Sequence, residues 1–116
     1  MLPYLNLALK QAARSRCRYR VGAVLVKGRR VLAHSSNRYR NSPGIDFKHA
    51  TFHAEEALLR RVCPPRGSVV YVARINWAGA PMFARPCTRC QDTLAAHGVT
   101  LARYTTPTGP GLLRLA

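Results

Sequence analysis

The chain predicts an α/β fold, a three-layer α/β/α sandwich on a mixed sheet of four to five strands, with residues 1–116 forming a single domain. Two segments, 21–26 and 68–75, are apolar on both alternating faces, as strands covered on both sides are. Segments with helical composition and spacing lie before, between and after them. The resulting order, α-β-β-α-β-α-β, is satisfied by helices on both faces of one sheet. A chain of 116 residues buries roughly two thirds of its unfolded surface in one core and is too short for two.

Leu2, Leu5, Leu9, Ala12 and Ala13 recur at helical spacing and predict an amphipathic helix over 3–15. Residues 21–26 form the first strand, and Lys27-Gly28-Arg29-Arg30 turns the chain into a second strand over 31–34, a hairpin. Residues 36–50 carry Ser, Asn, Pro and Gly and read as a long loop; such loops in compact domains are more often functional than structural. A helix over 52–62 is ended by Pro64-Pro65. After the central strand, residues 76–85 read as a loop holding the only Trp. Pro86 suits the first position of a helix that runs to His97 and stops at Gly98. Residues 99–104 are the last clear strand. In the tail, Pro107, Gly109, Pro110 and Gly111 leave only 112–115 able to be regular.

Composition narrows the class. Apolar residues make up 47% of the chain, which argues against disorder. No apolar run approaches the roughly 18 residues of a membrane span. The start, Met1-Leu2-Pro3-Tyr4-Leu5-Asn6, lacks the basic n-region of a secretory signal. The expectation is a soluble, cytoplasmic domain with no membrane partner. Nineteen Lys+Arg against four Asp+Glu give a net charge of +15, and sixteen of the basic residues are Arg. A compact body so charged repels itself. Nucleic acid is the usual counterpart of such an excess; a GC-rich genome, which inflates Arg and Ala, is the other source. Asp46, Glu55, Glu56 and Asp92 are the only acidic side chains, which leaves little material for two-carboxylate chemistry such as glycoside hydrolysis.

Two short segments carry chemistry. His53-Ala54-Glu55 opens one predicted helix, and Pro86-Cys87-Thr88-Arg89-Cys90 opens the next. Cys87 and Cys90 are three apart and share a helical face, in a first turn whose positive end favours thiolates. One imidazole and two thiolates suit Zn²⁺, and three protein ligands leave a fourth tetrahedral position open, the layout of a catalytic zinc. That position would hold water, whose pKa zinc lowers from about 15.7 toward 7. Glu55 lies two residues from His53, off its helical face, where it is suited to proton transfer rather than to ligation. The alternatives are a redox Cys-x-x-Cys pair or a structural four-cysteine site joining Cys17 and Cys63. Neither Cys17 nor Cys63 has ligand spacing, and both read as small core residues. Glu56 reads as a surface partner of Arg60 at i+4.

His-x-Glu followed about thirty residues later by Pro-Cys-x-x-Cys resembles the signature of the zinc-dependent cytidine and deoxycytidylate deaminase superfamily. The close match runs from about Thr51 to Tyr104, with the preceding hairpin fitting more loosely. The resemblance implies a cytidine deaminase-like sheet of order 2-1-3-4-5, whose fifth strand here is missing, very short or built from the tail. It implies zinc on His53, Cys87 and Cys90, with Glu55 shuttling protons between the attacking water, N3 and the leaving ammonia. It also implies that the Ala54 N–H meets the base carbonyl and that Asn37 contacts sugar or base, although Asn37 also suits a turn. The implied reaction is hydrolytic deamination, at C4 of cytosine or C6 of adenine. Thr88-Arg89 between the cysteines, and the Ile75-to-Arg85 loop, resemble short deoxycytidylate-type proteins more than tRNA adenosine deaminases, and so favour cytosine.

Charge favours single-stranded DNA or RNA as the substrate, because a zinc deaminase needs its base unstacked. Arg38, Tyr39 and Arg40 follow Asn37, while Trp77 and Arg85 sit in the loop before the zinc cysteines; aromatic rings and Arg are the groups that hold a single strand. Deoxycytidylate or another free deoxycytidine nucleotide is the alternative substrate, with a tRNA adenosine deaminase behind it. A small basic binding module with structural zinc is the non-enzymatic alternative, and would have no use for Glu55.

Overall fold

Successive side chains along the strands point to opposite faces of one sheet, and both faces are covered. The computed structural model describes residues 3–16, 19–39, 51–52 and 54–115. The chain begins with α1 (Pro3–Ala13), followed by the hairpin β1 (Arg20–Lys27) and β2 (Arg30–Ser36). Two-residue strands β3 (Arg38–Tyr39) and β4 (Thr51–Phe52) lead to α2 (Ala54–Arg61). Then come β5 (Ser68–Ile75), β6 (Pro81–Met82), α3 (Thr88–Ala96), β7 (Val99–Thr106) and β8 (Gly109–Arg114). The sheet has the order β2-β1-β5-β7-β8, with β6 paired to β5, while β3 and β4 pair with each other. Among the described strands only β5 and β7 pair in parallel; β1 is antiparallel to β2 and β5, and β8 to β7. A parallel pair needs a crossover, and α3 supplies it.

On one face, Ala8 of α1 packs on Val24, Val26 and Ala73. On the other, Ala23, Leu25, Val70 and Val72 meet Leu58 of α2 and Leu94 of α3. Leu25, Leu58 and Leu94 are fully buried, each contributing about 1.5–3 kcal/mol. The three layers expected from the sequence are therefore present. Among the described residues, no helix is long and apolar enough to cross a membrane.

Gly22 sets the distance between α1 and the sheet. A Cβ there would collide with the Ala8 carbonyl and the Ala12 nitrogen, so the helix backbone lies directly on β1, with Ala8 and Ala12 facing it at 0% exposure.

Five expectations are corrected. The sheet has six strands rather than four to five. One addition is the tail: β8 is regular from Gly109, not only from 112, because an edge strand tolerates Pro110 and Gly111 makes room for the ring of Tyr104 opposite it. The other is β6, inside the 76–85 segment read as a loop, where Pro81 and Met82 pair with Ile75 and Arg74. Cys63 is exposed rather than a core residue, because it follows the end of α2. The helix expected from Pro86 starts at Thr88, with Cys87 as its N-cap. The expectations for Cys17 and for the Glu56 side chain fall outside the described residues.

The junction of β5, β6 and β7 is held by Thr105, which is wholly buried. Its Oγ1 donates to the Met82 carbonyl (2.7 Å) and accepts from the Arg74 N–H (3.1 Å). Its carbonyl accepts from the Ala84 N–H (3.0 Å).

Three outcomes are expected in urea unfolding. Gly22→Ala should cost about 3 kcal/mol, the upper end of overpacking. Gly28→Ala, at φ +61 with nothing near its Cβ position, should cost about 1 kcal/mol; equal midpoints would contradict the close approach. Thr105→Val exchanges a hydroxyl for a methyl of similar volume and should cost about 1–3 kcal/mol by removing the buried group that the Arg74 N–H and the Met82 carbonyl share.

Candidate metal centre and substrate end

The register places the start of β1 and the ends of β2, β5 and β7 at one end of the sheet. Gly22 is beside Ser36 and Ala73, Arg20 is beside Ile75, and Val72 is beside Tyr104. Three local devices bring the candidate residues to that end.

The first is Asn37, 6% exposed. Its backbone N–H donates to the Val21 carbonyl (3.0 Å). Its Oδ1 accepts from the Val21 N–H (2.9 Å) and from Ser15 Oγ (2.6 Å), and its Nδ2 donates to the Tyr19 carbonyl (2.6 Å). Asn37 therefore clamps the connection between α1 and β1 onto the end of β2. Of the carboxamide's donor and acceptor positions, the second N–H of Nδ2 has no partner among the described residues.

The second device fixes α2. Ser35 Oγ, itself buried, donates to the Ala54 carbonyl at 2.6 Å and ties the first turn of the helix to β2. Ala54 is wholly buried and Glu55 is 5% exposed. Glutamates are rarely so buried, and a buried carboxyl is a mark of functional sites.

The third device fixes α3. The Gln91 N–H donates to the Cys87 carbonyl (2.9 Å), and Gln91 Nε2 reaches back to the Pro86 carbonyl (2.7 Å). Cys87 is the N-cap, in extended conformation (φ −66, ψ 163), and is exposed. Cys90, three residues on, is 1% exposed. Cys63, Cys87 and Cys90 are thiols, not disulfides. Two thiols three residues apart at the start of one helix are soft donors of the kind that fit zinc. α2 and α3 pack together, with Ala54, Leu58, Ala84 and Leu94 in one core cluster. Cys63, by contrast, lies beyond the C-terminus of α2, whose path from Glu55 to Arg61 spans about 9 Å at 1.5 Å per residue. That separation disfavours its joining a four-cysteine site.

The structure thus describes Glu55, Ala54, Asn37, Cys87 and Cys90 at this end of the sheet. His53 and Arg40 lie outside the described residues. Of Arg38 and Tyr39 the backbone is described, in β3. Among the described residues no group of three or more His, Cys, Asp and Glu gathers as a metal cluster. Arg85 is exposed, and Trp77 is 78% exposed. Sequence reasoning missed Ser15, Ser35, Gln91 and Thr105, which hold the site in place. Each is an ordinary polar residue whose partner is fixed only by the fold; Ser15 and Asn37 are 22 positions apart.

A profile of the cytidine and deoxycytidylate deaminase zinc-binding region matches residues 2–105. The chain is 36% identical over 94 residues to a tRNA-specific adenosine deaminase of Agrobacterium fabrum, covering 79% of this chain and 56% of that protein. It therefore spans little more than half the length of that relative. Among solved structures, it resembles a dCMP deaminase from the cyanophage S-TIM5 at 25% identity and a TM-score of 0.65, over 90% of this chain and 84% of that one. A cytidine deaminase from Burkholderia pseudomallei, 18% identical, shares the fold over 99% of this chain and 94% of that one, with a TM-score of 0.72. The order β2-β1-β5-β7-β8 is the one the sequence resemblance implied, with the tail as its last strand. With the profile running through nearly the whole chain, the protein belongs to the cytidine and deoxycytidylate deaminase family, whose zinc-binding region implies zinc.

Proposed function

We propose that this chain is a zinc-dependent hydrolytic deaminase that converts cytosine to uracil, acting on single-stranded nucleic acid. The observation that carries the reading is the burial of Glu55 at the N-terminus of α2, at the same end of the sheet as the Cys87 and Cys90 turn of α3. His53, Cys87 and Cys90 would hold the zinc, which when bound acidifies water at neutral pH. Glu55 takes a proton from the attacking water and delivers it to N3 of the base, then carries a proton to the departing amine. One water is consumed, the C4–N bond breaks, and ammonia leaves with a carbonyl at C4. The Ala54 N–H holds the base carbonyl, and the remaining Nδ2 proton of Asn37 is available to the sugar or base.

The +15 charge supports a polymer, since one nucleotide phosphate needs far fewer cations. A dCMP deaminase among the similar folds supports a free nucleotide as the second reading. The similarity to a tRNA-specific adenosine deaminase supports adenine as a third. Uracil formation from a cytosine-containing single-stranded oligonucleotide, measured beside dCMP at equal concentration, separates the first two. Faster turnover of the oligonucleotide is expected. Turnover of dCMP alone would move the reading to nucleotides, and inosine from an adenine-containing RNA with no uracil would move it to adenine.

Glu55→Gln should reduce deamination at least about 100-fold, the scale of a general acid–base, while zinc content by mass spectrometry and the melting temperature stay at wild-type levels. Cys90→Ser should lose the zinc. Retained activity in Glu55→Gln would contradict the mechanism. An inactive wild-type chain that unfolds on chelation would favour a structural metal.

A further inference from the structure

Two arginine–aromatic pairs stand at the substrate end of the sheet, and the proposed chemistry uses neither. The guanidinium of Arg20 lies over the Trp77 ring, 5.4 Å from its centroid. Arg20 also donates from Nη2 to the Asn76 carbonyl at 2.6 Å. The guanidinium of Arg74 lies over the Tyr19 ring at 4.7 Å. Trp77 and Tyr19 are nevertheless 78% and 56% exposed. Exposed rings of this size are costly in water and mark sites of recognition when they cluster.

Their mounting is rigid. Trp77 rides a turn closed at both ends by Asn76: the Asn76 N–H donates to the Ala80 carbonyl (3.1 Å), the Ala80 N–H to Asn76 Oδ1 (3.0 Å), and the Gly79 N–H to the Asn76 carbonyl (3.0 Å). Gly79, at φ +83, supplies the left-handed residue the turn needs. Tyr19 is held by its own carbonyl, which accepts from Asn37 Nδ2 at 2.6 Å. Through Asn37 and through β6, both pairs are continuous with the elements that carry Glu55 and Cys87.

We propose that Trp77 and Tyr19, each backed by its arginine, form a stacking platform for the bases that flank the target in a single-stranded nucleic acid. Flat rings take any base face, and the guanidinium beside each ring is placed for the adjoining phosphate. The +15 charge of the chain complements that polyanion. The inference rests on the polymer reading above and extends it to the nucleotides outside the catalytic pocket.

Trp77 is the only Trp, so emission excited beyond the tyrosine band reports on Trp77 alone. The probe is an oligothymidylate of about ten nucleotides, inside the range of roughly 4–16 that a small OB-fold domain holds, followed by Trp emission and by anisotropy of an end label. Emission should be quenched to saturation at the Kd that anisotropy gives. An abasic strand of equal length should bind at least about 5-fold more weakly and leave emission unchanged. Trp77→Ala should weaken binding about 10-fold, the size of one lost stack, and Trp77→Phe should restore it to within about 3-fold. Oligouridylate binding tighter than oligothymidylate would assign the platform to RNA. Binding with unchanged emission, a Trp77→Ala Kd within about twofold of wild type, or no binding at low salt would each overturn the platform. The probe contains no cytosine, so the outcome is separate from catalysis. Quenching without uracil formation elsewhere would keep the platform and sink the reaction; uracil formation with flat emission would do the reverse.

Discussion

Where β5 and β7 part, two strands that run side by side would expose backbone polar groups inside the fold. Their pairing ends at Val72 and Tyr104, yet both strands continue. The short strand β6 takes the place beside Arg74 and Ile75, and Thr105 joins it to both neighbours through a buried hydroxyl and carbonyl. Buried polar groups without partners cost about 1–3 kcal/mol each, so this arrangement is close to obligatory once β5 and β7 are parallel. Its consequence is positional. The chain leaves β6 through Ala84, which is drawn into the core, and enters α3 at Cys87. The position of the cysteine turn thus follows from how two strands separate.

The same logic fixes α2. A serine hydroxyl on β2 holds the Ala54 carbonyl, and Leu58 packs under the helix, so Glu55 has little freedom to leave its buried position. On the opposite face, α1 is brought onto β1 by the missing side chain of Gly22. Its C-terminal extension supplies Ser15 to the Asn37 clamp. Catalytic geometry of this kind depends on supports that are themselves immobile, and here the side chains of Ser35, Asn37, Gln91 and Thr105 supply them by hydrogen bonding to the backbone. A chain with four acidic residues has few ion pairs to use. The excess of arginine is instead spent partly on aromatic rings, as with Arg20 and Arg74.

Much of this was legible in the sequence. The alternating apolar faces of 21–26 and 68–75 identified the two central strands, and of the apolar positions read for the first helix Leu5 and Ala12 are buried, whereas Ala13 is exposed and Ala8 takes a buried place instead. His-x-Glu and Pro-Cys-x-x-Cys marked the helix starts because metal chemistry restricts both residue type and spacing. The tail was not legible. Pro107, Gly109, Pro110 and Gly111 are breakers in a central strand, yet at an edge they are tolerated; the Thr106 hydroxyl helps close the turn by bonding to the Gly109 carbonyl and Thr108 N–H. β6 is too short to carry a periodicity. The Ser15–Asn37 and Thr105 networks join residues far apart in the chain, so no local pattern encodes them. The exposure of Cys63 follows from where α2 ends, and composition alone carries no information on that point.

The proposed chemistry needs His53, Cys87 and Cys90 to act together as a mixed nitrogen and sulfur donor set. X-ray absorption at the zinc edge of the loaded protein tests this directly. The account predicts two sulfur neighbours at about 2.3 Å together with lighter neighbours at about 2.0 Å, and the loss of sulfur scattering in Cys90→Ser. Four sulfur neighbours would contradict it, making the metal a structural staple and leaving Glu55 without a partner in the chemistry.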